Sequence, residues 1–297
     1  MGADNAFESS AAKVLEHHGV EVSTSSLRRC VLKHAHAMAA QTDAAPACTR
    51  LKAHGPEWII AAADGTMVPT VDTQAAPPGG DRRKHRKLAW EEMRLLGAQV
   101  HGERRSVYAA TLGEVEDAGR RWSQVVGRCG WGLNTHIHAL GDGAEWIARQ
   151  ARERFGQCHR YTVDLYHVCD YLGAAAPDAG QSGDYVRRQR ERLKQNQLQR
   201  VLEELRAREE PPDVPNEEAP VRRAVRYLEN REGQLNYAYA LERDLPVGSG
   251  MIESGHRHVL QARLKKSGAW WTPPNVHAMA QLRVTRANNL WNEYWFN

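Results

Sequence analysis

Three carboxylates occupy positions where an acid is costly and chemically useful. Asp64 ends the apolar run Ile59-Ile60-Ala61-Ala62-Ala63 and precedes a glycine. Asp142 follows Ile137-His138-Ala139-Leu140 and lies between Gly141 and Gly143. Glu253 comes just after the Gly248-Ser249-Gly250 break. A charge at the end of an apolar strand is expensive unless it has a partner. Acids at two strand ends, with a third on a neighbouring helix, can converge and hold two divalent cations about 3.5–4 Å apart, the geometry of in-line phosphoryl transfer. Mg²⁺ and Mn²⁺ favour such oxygen ligands, and the acids repel one another until a cation enters. Plainer readings stand beside this one. Asp-Gly after a strand commonly forms a turn, and an acid in a first helical turn is favoured by the helix dipole.

The elements that must position these acids follow from periodicity. Helices are expected over Ala6–His18 and from Ser23 or Thr24 to about Ala39, with Gly19 between them and a linker over Thr42–Pro56. A strand over Trp58–Ala63 should end at Asp64, with Val68–Val71 continuing or pairing with it. Leu88–Gln99 and Ser106–Thr111 read as strands and Glu114–Val126 as a helix. Thr135–Leu140 and Tyr161–Leu165 read as strands around a helix at Ala144–Phe155, with another helix starting near Tyr166. A long charged helix is expected over Asp184–Glu210. Its narrow stripe of Leu193, Leu198, Val201, Leu202 and Leu205 suits an appended insertion. A helical stretch follows over Val221–Leu241. Strands alternating with helices after an antiparallel start make a mixed α/β sheet.

The chain has 297 residues, a prior of about two domains. No apolar run approaches the roughly 18 residues of a membrane span. The start, MGADNAFESS, lacks the basic and apolar regions of a signal peptide. Five cysteines form no Cys-x-x-Cys pair, which excludes a disulfide framework and leads us to expect a reducing, cytoplasmic setting. Asp81–Arg105 has eight Lys/Arg against four Asp/Glu and Glu253–Asn297 has six against two, whereas Asp178–Glu232 has twelve of each. Basic segments suit a polyanion such as nucleic acid, or a solvated surface. The first two helices, with Arg28, Arg29 and Lys33 facing outward, have the pattern of a helix-turn-helix, which many helical hairpins share.

The runs IIAAADGTMV, HIHALGDGAEWI and GSGMIESGHRHVLQARLKKSGAWW resemble the three acidic motifs of DDE insertion-sequence transposases, and most resemble those of the ISKra-type group. WEEMRLLGA resembles that family's second core strand and QLRVTRANNLWNEYW its C-terminal helix. The resemblance spans about Trp58–Trp295. Its specific part is Gly-Ser-Gly-x-x-Glu with Arg263, Lys265, Gly268, Ala269 and Trp271 downstream. It implies an RNase H-like mixed sheet flanked by helices at 56–297, with a helical insertion at about 173–247 before the third acid; residues 1–55, outside it, are read from their own pattern as a helical, helix-turn-helix-like segment and linker. It implies two Mg²⁺ or Mn²⁺ ions held by Asp64, Asp142 and Glu253, cleavage at transposon ends, and transfer of the 3′-OH into target double-stranded DNA by a homo-oligomer. Asp164-x-x-His167 resembles a supporting Asp/Cys-x-x-His motif of related transposases. Members of that family carry more than 63 residues before the first acid, so part of an end-recognition region is expected to be absent.

Candidate DNA contacts are Arg28, Arg29, Lys33, Arg82, Arg83, Lys84, Arg257, Arg263, Lys265 and Lys266. Arg257 lies one helical turn after Glu253 and could pair with it or hold a phosphate. His256 and His258 are expected at the surface. Trp270 and Trp271 are read as core residues or as stacking platforms for a flipped base. Cys158, His159, His167 and Cys169 have irregular spacing for zinc. Two other functions remain open: a metal-dependent nuclease without strand transfer, and a truncated or domesticated DNA-binding protein without catalysis.

Overall fold

The computed structural model describes residues 1–45, 51–72, 86–178, 180 and 182–296. Its centre is a five-stranded sheet in the order β3-β2-β1-β4-β5. The strands are β1 (Trp58–Asp72), β2 (Lys87–Val100), β3 (Ser106–Thr111), β4 (His136–Gly141) and β5 (His159–Val163). β1, β2 and β3 pair antiparallel, while β4 and β5 join parallel to β1. The parallel steps run through α3 (Val115–Arg128) and α4 (Glu145–Phe155). α5 (Leu165–Ala174) follows β5. The expected mixed α/β sheet is therefore present. Leu88–Gln99 is a strand despite its poor alternation, because both its faces are covered near the centre of the sheet.

β1 corrects one expectation. It does not end at Asp64 but runs on to Asp72, since β2 pairs with it from Ile59 to Asp72 while β4 pairs only as far as Ala62. Side chains alternate along it. Ile59, Ala61 and Ala63 lie in a core with Leu96, Trp122, Ile137 and Ile147. Ile60 and Ala62 lie in the opposite core with Met93, Leu95 and Leu140.

The first core also takes in the segment expected to be an appendage. Leu193, Val201, Leu202, Leu205 and Leu228 are fully or almost fully buried in the same cluster as Ile59. The long charged helix is two helices, α6 (Ser182–Lys194) and α7 (Leu198–Arg206), broken where Asn196 takes a left-handed φ of 56°. The next stretch is also interrupted, into α8 (Pro220–Glu229) and the short α9 (Tyr237–Leu241). Buried residues on both sides of each break join the same core, Leu193 with Val201 and Leu205, and Leu228 with Tyr237.

The second core joins both ends of the chain. α1 (Phe7–His18) stops at Gly19, and α2 (Thr24–Asp43) is capped by Ser23, whose hydroxyl accepts from the Ser26 amide at 3.1 Å. α2 runs past its expected end near Ala39 to Asp43, and its Ala35, Met38 and Ala39 are buried in the same cluster as Val276 and Met279 of a C-terminal helix at Pro273–Ala287. No helix among the described residues is long and apolar enough to cross a membrane.

Trp122 sits at the middle of the first core. It is fully buried, packs edge-on against Phe155 and donates its indole N–H to the Gly97 carbonyl at 3.3 Å. Trp122→Ala should cost about 3–5 kcal/mol, read as a lowered urea midpoint with the slope unchanged.

Candidate active site

The last β1–β4 pair is Ala62 with Leu140. Asp64 and Asp142 each lie two residues beyond it, so the parallel register carries both acids to one end of adjacent strands. Asp64 keeps the alternation of Ile60 and Ala62 and faces the second core. Each carboxylate is fixed by a local amide. Asp64 Oδ1 accepts from Gly65 N at 2.8 Å and Asp142 Oδ1 from Ala144 N at 2.8 Å. The Asp142 backbone is held from the first core, where the Tyr227 hydroxyl donates to its carbonyl at 2.6 Å. Both acids are only half-buried.

Glu253 arrives on a helical run in three parts. These are α10 (Gly250–Gly255), a π-helical segment (His256–Gln261) and α11 (Ala262–Leu264). Gly255 lets this run approach the sheet, since a Cβ there would stand 2.6 Å from the Tyr108 ring and 2.9 Å from Leu95. The turn before the run is tied down by four contacts. His101 and His138 reach the carbonyls of Asp244 and Pro246 at 2.9 and 2.8 Å. Leu165 N donates to Val247 O at 2.9 Å. Ser249 gives both its amide, at 2.6 Å, and its hydroxyl to Asp164 Oδ2. Burial holds the His138 imidazole below its ordinary pKa, so it is neutral and its Nε2–H donates to the carbonyl.

Asp164 is fully buried, and its other oxygen caps α5 through the amides of Tyr166 and His167. It supports the site by joining β5, α5 and the turn that launches Glu253. His167 lends its amide to this cap, and its ring is half-buried.

His256 overturns its expected surface position. It is only 4% exposed, and its Nε2 lies 3.1 Å from Asp64 Oδ2. The pair is close without hydrogen-bond directionality, so both ring nitrogens lack a hydrogen-bond partner. The signal for this residue was present in the sequence: Ile252, His256, Val259 and Leu260 form one helical stripe, and the other three are buried. His258 is exposed, as expected. Glu253 is exposed, and its side chain makes no ion pair or hydrogen bond with a described residue. Among the described residues no three carboxylate, imidazole or thiol groups gather closely enough to hold an ion. Asp64 and Asp142 thus share one end of the sheet, Glu253 does not close a cage with them, and among the described residues the cysteines and histidines of 158–169 do not assemble.

The basic residues divide. Arg28, Arg29 and Lys33 lie on the exposed face of α2, and Arg257 is exposed without pairing to Glu253. Lys265 donates to Thr66 Oγ1 at 2.7 Å, two residues along β1 from Asp64, and Lys266 is half-buried. Arg82, Arg83 and Lys84 lie outside the described residues. Arg263 is not a free contact for DNA. It is 2% exposed, donates to the Gly2 carbonyl at 3.2 Å and lies between the rings of Phe7 and Trp271. Burial, with Arg283 nearby, lowers its pKa to about 10, which leaves it charged at neutral pH. Trp271 is a core residue, whereas Trp270 is exposed beneath Arg86 at 4.1 Å.

Comparison with known proteins adds a family. The model of an uncharacterised protein family, UPF0236, matches residues 5–293. The chain belongs to the UPF0236 family. Two UPF0236 proteins of Caldanaerobacter subterraneus subsp. tengcongensis are each 29% identical to it over 154 residues, 51% of this chain. The aligned stretch is 31% of one relative and 29% of the other, so the match takes in less than a third of either.

In this UPF0236 chain the Asp164 tie is the testable joint of the site. Asp164→Ala removes a helix cap and leaves Ser249 without its acceptor. A loss of about 2–4 kcal/mol is expected, with faster amide exchange concentrated at 247–252. Exchange that speeds up only within α5 would show that the carboxylate does not hold the turn.

Proposed function

We propose that this chain carries the catalytic core of a DDE-type insertion-sequence transposase on an RNase H-like fold. It cuts transposon ends and joins the freed 3′-OH to target DNA. The observation that supports this most is the β1–β4 register, which sets Asp64 and Asp142 side by side on two parallel strands. The helix of Glu253 packs against β1 and β2, and its continuation brings His256 to Asp64.

The donor set fits hard divalent cations, because Asp64, Asp142 and Glu253 offer carboxylate oxygens of the kind that Mg²⁺ and Mn²⁺ take. The buried His256 ring, without hydrogen-bond partners beside Asp64, marks a place whose polar groups are not satisfied by the protein alone. Asp64, Asp142 and Glu253 would hold two such ions, which would supply activation of a water or 3′-OH and charge neutralisation at the departing oxygen. The protein residues do the positioning. Gly65 N and Ala144 N each hold one carboxylate oxygen of Asp64 and Asp142, while the second oxygen of Asp64 faces His256 Nε2 at 3.1 Å. Glu253 has no described contact to give up before joining them. Lys265, held beside Asp64 through Thr66, suits a phosphate of the bound strand. Arg28, Arg29 and Lys33 on α2 suit recognition of the transposon end as a helix-turn-helix, with Arg257 and Lys266 nearer the cut. Action as a homo-oligomer on DNA belongs to the same reading.

Nicking of supercoiled plasmid in Mn²⁺ tests it, with wild type compared with Asp64→Asn. Loss of a metal ligand should cost at least the roughly 100-fold seen at the upper end for outer-shell partners. Nicking with joined products supports strand transfer, and nicking without them indicates a nuclease. DNA binding with no nicking by wild type would favour a non-catalytic DNA-binding protein.

A further inference from the structure

A second feature lies on the other side of the Asp142 loop. A cavity of about 430 Å³ opens between α4 and the end of α8, lined by Gly143, Glu145, Arg149, Arg152, Asn230 and Arg231 among others. We propose that this cavity binds the phosphodiester backbone of duplex DNA next to the position cut at Asp64 and Asp142. The proposal rests on the transposase reading and adds to it a path for the strand across the helical insertion.

The cavity is rich in positive charge. Three arginines face one acid in the lining. Several arginines on the neighbouring helices pair with acids: Arg188 and Arg192 share Glu204, Arg206 pairs with Glu229, and Arg187 with Asp184. The two α4 arginines of the cavity have no comparable partner. Arg152 is exposed and makes no ion pair or hydrogen bond with a described residue. Arg149 reaches only Glu116, at 3.4 Å, with both side chains largely solvated, a contact of little worth. Cations three residues apart on one helix face repel each other unless an anion lies between them.

Arg231 supplies a rigid element. Its Nε and Nη2 both donate to the Gly143 carbonyl, at 2.9 and 2.7 Å, and its guanidinium lies 4.0 Å from the Tyr227 ring centroid. Gly143 permits this approach. Its φ is +88°, and a Cβ there would meet Arg231 Nε at 2.4 Å. The same Tyr227 holds the Asp142 carbonyl. One hydrogen-bonded unit therefore connects the cavity wall to the residue immediately before Gly143, which is Asp142. An anion in the cavity lies one residue from a candidate catalytic acid. Guanidinium groups on a concave surface match phosphate oxygens in forked geometry.

The test is duplex binding by the full chain, followed by fluorescence anisotropy across a salt series in EDTA. Arg149→Gln/Arg152→Gln is compared with Arg187→Gln/Arg206→Gln, which removes equal charge from the outer face of the insertion. Both pairs are exposed, and matching thermal melts exclude misfolding. The cavity variant should weaken binding about tenfold and lower the salt slope by about 1–2, while the control keeps the wild-type slope. Equal effects in both variants, or none in either, overturn the proposal. ATP tests the alternative source of phosphate. If the cavity variant loses ATP binding but keeps duplex affinity, the cavity takes small phosphates and the proposal fails.

Because no metal is present, this result is separable from catalysis. A wild type that nicks DNA, with an unchanged slope in the cavity variant, sinks the cavity alone. A changed slope without nicking keeps the cavity and sinks the transposase reading.

Discussion

The parallel pairing of β1 with β4 is the constraint on which the rest of the structure depends. It stops at Ala62 and Leu140, and two residues later each strand presents an aspartate. On its other side β1 keeps pairing with β2 as far as Asp72. Asp64 is thus held in a continuous strand while the space on its β4 side opens. An acid there has a fixed backbone and a carboxylate that is 28% exposed. That combination suits ligand binding better than either a flexible loop or a closed core would.

The helical run that carries Glu253 and His256 meets the sheet after a long detour, and polar contacts made before it begins hold its start. Asp164 joins the end of β5, the cap of α5 and Ser249 through one buried carboxylate. His138, which lies on β4 itself, holds the same turn at Pro246. The helical run then departs from ideal α geometry over His256–Gln261. π-helical turns recur at functional sites because they re-aim side chains. In this chain the segment carries His256 against Asp64, with Val259 and Leu260 buried beside it.

The helical segment α6–α9 is part of the core and not an appendage. Its inner leucines share a cluster with the sheet, which fixes α8 against the Asp142 loop and lets Tyr227 and Arg231 bind that loop's backbone. Several of its outer arginines pair with acids, whereas the Arg152 side chain, beside the end of α8, has no hydrogen-bond or ion-pair partner among the described residues.

Several features were legible in the sequence because they depend on neighbours a few residues away. Alternating or 3.6-periodic apolar residues gave the sheet and most helices, Ser23 gave a cap, and Asp64 and Asp142 were recognisable as acids after apolar strands. What the sequence left open depended on partners far along the chain. Arg263 looked like a DNA contact until Gly2 and Phe7 enclosed it. His256 looked like a surface residue until β1 came beside it. Asp164 and Ser249 are 85 residues apart, and only folding makes them partners. The length of β1 and the breaks at Asn196 and after Glu229 were likewise set by what the rest of the fold packs against. Local propensity decides where an element can form, while tertiary packing decides which side chains it leaves free.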